Sequence, residues 1–183
     1  MTPYLDFRRF PVTCPYGVPR PSGPHQGQDH GAPRGTPLFA PETGHKQYAI
    51  VRQHGEGYNP DISWPDRSWW PYSRYYEWWA GGLCILYGQQ YTHLWLHLDP
   101  AWVYAACREQ LLILSHEKRR KPGDYTSYVT SEIVWQPAWC GEGDMVGVTG
   151  VSGYDDGPHV HYQLMAPGRN AHQVLDPRAL WTA

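Results

Sequence analysis

The chain lacks most of the marks by which common protein classes are recognised. It carries no excess charge of either sign: 15 Lys and Arg stand against 17 Asp and Glu, a formal net charge of -2, so there is no electrostatic case for nucleic acid as a partner. No apolar run approaches the roughly 20 residues of a membrane-spanning helix, and no membrane span is expected. The first nine residues, Met1-Thr2-Pro3-Tyr4-Leu5-Asp6-Phe7-Arg8-Arg9, hold no apolar h-region, and no signal peptide is visible in them. Cys14, Cys84, Cys107 and Cys140 are widely separated and form no CxxC pair. They do not read as a zinc knuckle, and either reduced buried thiols or one of three disulfide pairings is left open. Neither HExxH, GxSxG nor GxxxxGK occurs, which removes the zincin helix, the serine-hydrolase elbow and the phosphate loop. His116-Glu117 is followed by Lys118, Arg119 and Arg120 and is no exception.

What is present is turn formers and aromatics, with 18 Pro, 19 Gly, 14 Tyr and 10 Trp. Such a composition suits short strands joined by ordered loops rather than a helical bundle, and 183 residues fit one domain. Frequent Pro and Gly over 8–37 predict turns with short extended pieces. The first hairpin is expected at 82–98. Leu83 to Tyr87 form one strand, Gly88-Gln89-Gln90 the turn, and Tyr91 to Leu98 the return. Alternation along that return puts His93, Trp95 and His97 on one face and Leu94, Leu96 and Leu98 on the other, with the leucines read as the core face. Asp99 as N-cap and Pro100 at the first helical position predict a helix. It is expected to run through Trp102, Ala105, Ala106, Leu112 and Ile113 and to end in the basic run Lys118-Arg119-Arg120-Lys121 before Pro122-Gly123. That run is read as a solvated helix end, the sharper alternative being contact with an anionic wall polymer. Further strands are expected at Ser131 to Trp135, around Gly147 to Gly150 and at Pro158 to Leu164. Residues 64–79 hold Trp64, Trp69, Trp70, Tyr72, Tyr75, Tyr76, Trp78 and Trp79. Aromatic rings stack on sugars, but large aromatics mostly serve burial. Packing or an interface is therefore the first reading of this stretch.

Three local patterns among the ten histidines suit a metal. His25-Gln26-Gly27-Gln28-Asp29 sets an imidazole and a carboxylate four residues apart around a small Gly. His159-Val160-His161 places two imidazoles on one face of a strand. His97 comes from the hairpin. Each signal alone is weak. Together they offer more nitrogen and oxygen donors than the three that a catalytic zinc takes while keeping one position open. His30, His45, His54, His116 and His172 are read as surface or hydrogen-bonded imidazoles.

In this order the motifs resemble the lysostaphin/LytM-type zinc metallopeptidases, which are peptidoglycan endopeptidases. His25-Gln26-Gly27-Gln28-Asp29, followed by Ala32-Pro33-Arg34-Gly35-Thr36-Pro37, looks like that family's HxGxD and the Pro–x–Gly–Thr–Pro segment after it. Cys14-Pro15-Tyr16-Gly17 resembles the step before it. Gly147-Val148-Thr149-Gly150-Val151-Ser152-Gly153, then Gly157-Pro158-His159-Val160-His161-Tyr162, is similar to the family's G-x-x-G-x-[ST]-G and GPHLHFE ending, and Asp176-Pro177 matches its closing. The likeness spans roughly 14–181 with two interruptions. It implies a mainly β, antiparallel, sandwich-like lysostaphin-type peptidase domain over 1–183, with an inserted helix near 100–120 and insertions near 53–79 and 99–140. It implies one Zn2+ held by His25, Asp29 and His161, with His159 and His97 as catalytic histidines beside it. The motif's spacing from Tyr91 selects His97 over His93, which shares its face. Gln163 stands where the family often has Glu, outside the ligand set. The implied activity is endopeptidase cleavage of peptidoglycan. The missing signal suggests a phage lysin or tail-associated hydrolase, virion-associated or in the host cytoplasm before release to the wall. The rival is a structural virion or envelope protein that assembles through the aromatic stretch 64–79.

Overall fold

The computed structural model of the protein describes residues 9–20, 23–54, 81–119, 129–152, 157–167 and 173–181. The aromatic stretch 64–79 and Pro122-Gly123 lie outside them. In chain order the strands are β1 (Val12–Cys14), β2 (Pro19–Arg20), β3 (Gly23–Pro24), β4 (Gln28–His30), β5 (Pro37–Phe39), β6 (Gly44–His54), β7 (Gly81–Gly88) and β8 (Thr92–Leu98). After helix α1 (Pro100–Cys107) come β9 (Leu112–Arg119), β10 (Val129–Trp135), β11 (Ala138–Cys140), β12 (Met145–Val148), β13 (Val160–Met165) and β14 (Val174–Leu175), then a 3-10 turn at Pro177–Trp181. Among the described residues ten strands make one sheet in the order β1-β4-β13-β8-β7-β6-β10-β9, with β11 also on β6 and β14 also on β13. Strands β12 and β5 form a small second sheet, and β2 and β3 a third. All pairings are antiparallel, as expected for a chain of short strands and tight turns. Among the described residues no helix is long and apolar enough to cross a membrane.

Both faces of the large sheet are apolar. On one face Tyr48, Ile50, Cys84, Leu86, Trp95, Tyr162 and Leu164 pack against Val103 and Cys107 of α1 and against Leu38 and Val146 of the small sheet. On the other, Ala49, Leu83, Ile85, Leu94, Leu96, Val134 and Met165 form a second cluster. The leucines at 94 and 96 do face a core, as alternation predicts. The opposite face, expected to be free for a site, is core as well: Trp95 is fully buried there. The cysteines are free thiols, three of them buried and Cys14 half-buried.

The hairpin is confirmed as β7 and β8, and the carboxylate of Glu42 fastens its turn. Glu42 accepts hydrogen bonds from the backbone N–H of Gln90 at 2.9 Å and of Tyr91 at 3.0 Å, and it lies 2.8 Å from Nε2 of buried His93. Nδ1 of His93 lies 2.7 Å from the Tyr162 hydroxyl. The neutral ring satisfies both contacts, donating from Nε2 to Glu42 and accepting at Nδ1. Burial pulls Glu42 up, but His93 and the turn amides outweigh it and leave its carboxyl below the usual value. Burial also pushes the His93 imidazole down, against the pull of Glu42. Both shifts have one sign in pH. Below about 6.5 the unfolded chain takes a proton that folded His93 refuses, and below about 4.5 it takes one that folded Glu42 refuses, so stability is lost as pH falls through this window. Glu42→Gln removes the pull that holds His93 up, so melting followed from pH 7 to pH 5 should show a decline that is steeper in Glu42→Gln than in the wild type; parallel curves would contradict it.

The helix reaches only half its expected length. Asp99 caps it as predicted, accepting from Ala101 N at 2.9 Å and Trp102 N at 3.3 Å, but it stops at Cys107. Residues 112–119, expected to continue it, form β9 along β10, with Leu114 opposite Val134 and Leu112 opposite Trp135. The basic run therefore begins at a strand end, and the described part of 99–140 holds the short helix α1, the paired strands β9 and β10, and β11. The reason is visible in hindsight. Leu111-Leu112-Ile113-Leu114 is apolar at four successive positions, which no single helix face can bury, and pairing with β10 outweighs local helix preference.

Candidate metal and catalytic site

The site lies on the face of the large sheet that carries Leu94 and Leu96, at the end where β4, β13 and β8 run side by side. The register decides it: His161 on β13 pairs with Asp29 on β4 and with Leu96 on β8, and directly paired residues share a face. His25 enters from the turn after β3. Its backbone N–H donates to Val18 O at 2.8 Å, its carbonyl accepts from Gly17 N at 2.8 Å, and its Nδ1 lies 2.9 Å from Pro15 O. A carbonyl can only accept, so Nδ1 carries the hydrogen and Nε2 presents a lone pair to the site.

Three donor atoms converge there. His25 Nε2 lies 3.1 Å from His161 Nδ1 and 3.3 Å from Asp29 Oδ1, and His161 Nδ1 lies 2.7 Å from Asp29 Oδ1. All three residues are buried. Ligands at about 2.0–2.1 Å on a tetrahedral zinc stand about 3.3 Å apart, so two of the three spacings match a metal's coordination edge and the third is shorter. Converging lone pairs on a carboxylate and two imidazoles repel unless a cation or proton lies among them. The donor set therefore fits the implied ion. Burial raises the Asp29 carboxyl, but the neighbouring rings of His161 and His25 outweigh it and hold the group ionised, well below the usual carboxylate range. Burial lowers the His161 imidazole despite the pull of Asp29, which keeps it in the neutral form that ligation requires.

Gly27 is explained by this geometry. A Cβ at that position would collide with Nε2 of His161 and lie 2.5 Å from its Cε1 and 2.7 Å from Tyr162 O, so the glycine between His25 and Asp29 gives the His161 ring its room.

His97 and His159 flank the trio, with ring centroids 4.6 Å apart and His97 6.3 Å from His161. His97 is at the end of β8 with φ +63°, the sole non-glycine residue with positive φ among those described, a backbone conformation with a cost that clusters at functional sites. That conformation breaks the alternation of the strand. Leu98 turns into the core with Trp95, while the His97 ring swings to the face of His161. His93, opposite Leu164, stays on the core side bound to Tyr162 and Glu42. The expectation that His93 and His97 share a face is thus corrected: a single left-handed residue, which period-2 reasoning cannot foresee, puts their rings on opposite faces. Nδ1 of His97 donates to Ser152 O at 2.7 Å and Nδ1 of His159 to Gly157 O at 3.0 Å, so both rings present Nε2 to the site. Burial, followed by His161 and His159, lowers His97 to about 3 and keeps it neutral.

Ser152 also accepts from Gly82 N at 3.0 Å and donates to Leu98 O at 2.7 Å, clipping the loop that orients His97 to the end of the hairpin. Two neighbours of the trio gave no sequence signal. Arg20 Nη2 donates to Asp29 Oδ2 and to Cys14 Sγ, at 3.0 Å each, and both contacts exist only because β1 pairs with β4 and β2 with β3. Of the remaining histidines, His30 is buried with Nδ1 3.2 Å from Phe10 O. His45 is exposed beside Trp139. The side chains of His54, His116 and His172 lie outside the described residues.

No family model matches the chain, and no curated protein matches it in sequence. Solved structures do match. The catalytic domain of the antimicrobial peptidase lysostaphin from Staphylococcus simulans superposes with a TM-score of 0.52 over 97% of this chain and 96% of that one, at 18% identity. The chain has the lysostaphin-type peptidase fold. Whole lysostaphin gives a TM-score of 0.51 at 18% identity, over 97% of this chain and 51% of that chain. Candidate ligands from two ends of the sequence meet because β4 and β13 are neighbours in the large sheet.

Proposed function

We propose that the protein is a zinc-dependent endopeptidase that hydrolyses peptide bonds of bacterial peptidoglycan. The convergence of His25 Nε2, Asp29 Oδ1 and His161 Nδ1, with His97 and His159 beside them, carries this reading. His25, Asp29 and His161 would hold the ion, which when bound supplies Lewis acidity for a scissile carbonyl and lowers the pKa of water. The remaining work belongs to the chain. His97 and His159 each spend Nδ1–H on a backbone carbonyl and turn Nε2 to the site; the neutral His97 accepts a hydrogen bond there that orients the attacking water, and His159 holds the water's proton at Nε2 and returns it to the leaving amine. Fixed by Ser152 and Gly157, the rings need little reordering when the peptide enters. The peptidoglycan substrate rests on the motif resemblance together with the lysostaphin-type fold.

Metal analysis of the purified protein with mass analysis of muropeptides after digestion tests the proposal. One zinc per chain and newly cleaved muropeptides are expected, lost on chelation and restored by zinc. His159→Ala should keep the zinc and lower cleavage by about 10²–10⁴-fold. A metal-free protein that leaves muropeptides intact would end this reading.

A further inference from the structure

The sheet edge beside Asp29 holds a donor that the three-ligand assignment leaves unused. Strand β1 pairs with β4 so that Cys14 lies opposite Asp29, and His161 lies opposite Asp29 from the other side. The three side chains therefore share a face. Cys14 Sγ and the donor atoms of His25 and Asp29 all lie within 4.8 Å of one another. Arg20 adds a second constraint, because its Nη2 donates to both the sulfur and Asp29 Oδ2 and so holds the thiol against the carboxylate ligand. Thiolate sulfur is among the donors zinc takes alongside imidazole and carboxylate.

We propose that Cys14 is a fourth protein ligand to the metal ion held by His25, Asp29 and His161. The proposal rests on the metal-site reading above and extends it. Three protein ligands leave a position open, whereas four complete the tetrahedron typical of closed sites. The centre then has a resting form closed by sulfur, and it opens when the sulfur withdraws to Arg20. Sulfur and nitrogen on one tetrahedral zinc stand about 3.5 Å apart, and Sγ already lies within 4.8 Å of the donor atoms of His25 and Asp29, so closing on those two takes a shift on the order of 1 Å. Cys14 is well placed for that movement. It ends a three-residue edge strand whose register is irregular between Val12 and Cys14, and irregularities of this kind at a sheet edge re-aim a side chain.

X-ray absorption at the zinc edge of the zinc-loaded full chain tests this, with zinc affinity measured in parallel for wild type, Cys14→Ser and Cys14→Ala. A sulfur neighbour at about 2.3 Å is expected in the wild type and none in either variant, with zinc affinity at least about tenfold weaker in both. Serine can keep the hydrogen bond to Arg20, so a thiol that merely buttresses Asp29 predicts that Cys14→Ser binds zinc as the wild type does. A wild-type shell of nitrogen and oxygen alone would overturn the role of Cys14 and leave the three-ligand site standing. A wild type that takes up no zinc overturns both. The wild-type spectrum decides the matter even where a variant fails to fold.

Discussion

Gly27→Ala should cost the protein both stability and metal, although the substitution adds one methyl group and replaces no ligand. The added Cβ would collide with Nε2 of His161 and lie 2.5 Å from its Cε1 and 2.7 Å from the carbonyl oxygen of Tyr162. Neither can yield easily. Tyr162 O belongs to β13, and β13 is paired on both sides, with β4 and β8. The His161 ring is held by Asp29 and lies near His25 and His97. Overpacking of this kind costs about 1–3 kcal/mol, which for a chain of this size lowers the melting temperature by about 2–4 °C per kcal/mol. The larger effect is on the site. A ligand displaced by about 1 Å costs on the order of 10²-fold in turnover, and zinc affinity should fall about 10–100-fold, as when a metal's supporting contacts are lost. Calorimetry and competition with a zinc chelator measure the two effects. Wild-type values in both would show that the glycine is not there to seat His161.

The second large effect separates two histidines four residues apart on one strand. His97→Asn removes the imidazole while keeping a residue that tolerates positive φ. It should lower turnover by about 10²–10⁴-fold, with the fold and bound zinc retained. His93→Ala should do the reverse. It leaves the Tyr162 hydroxyl and the Glu42 carboxylate without their buried partner, and each such loss costs about 1–3 kcal/mol. Chemical denaturation should therefore show a loss of about 2–4 kcal/mol, while turnover per folded molecule stays within about threefold. Kinetics and denaturation on both variants check this together. If His93→Ala were stable and inactive while His97→Asn was active, the assignment of His97 to the site would have to be exchanged for His93.

How legible the site was depends on how local each residue's position is. The HxGxD and HxH segments are short and contiguous, so the family resemblance picks out His25, Asp29, His159 and His161 from the sequence. The helix beyond Cys107 was misread because its cap is local whereas its end is not: what stops it is β10, some 20 residues downstream in sequence. Glu42 was missed for a similar reason, since a carboxylate that ties down the turn at Gln90 and Tyr91 looks like any surface acid.

What the sequence determined by itself was the strand-rich architecture, the hairpin, the capped start of the helix and the pool of metal donors. These follow from alternation, turn chemistry and motif spacing, all of which act within a few residues. The tertiary structure alone decided which donors meet. Pairing of β4 with β13 brings Asp29 to His161 across more than a hundred residues of chain. Pairing of β1 with β4 adds Cys14. One left-handed residue at the end of β8 points His97 into the site and leaves His93 in the core. Register and a single backbone torsion are long-range outcomes of packing the two apolar faces, and no local pattern encodes them.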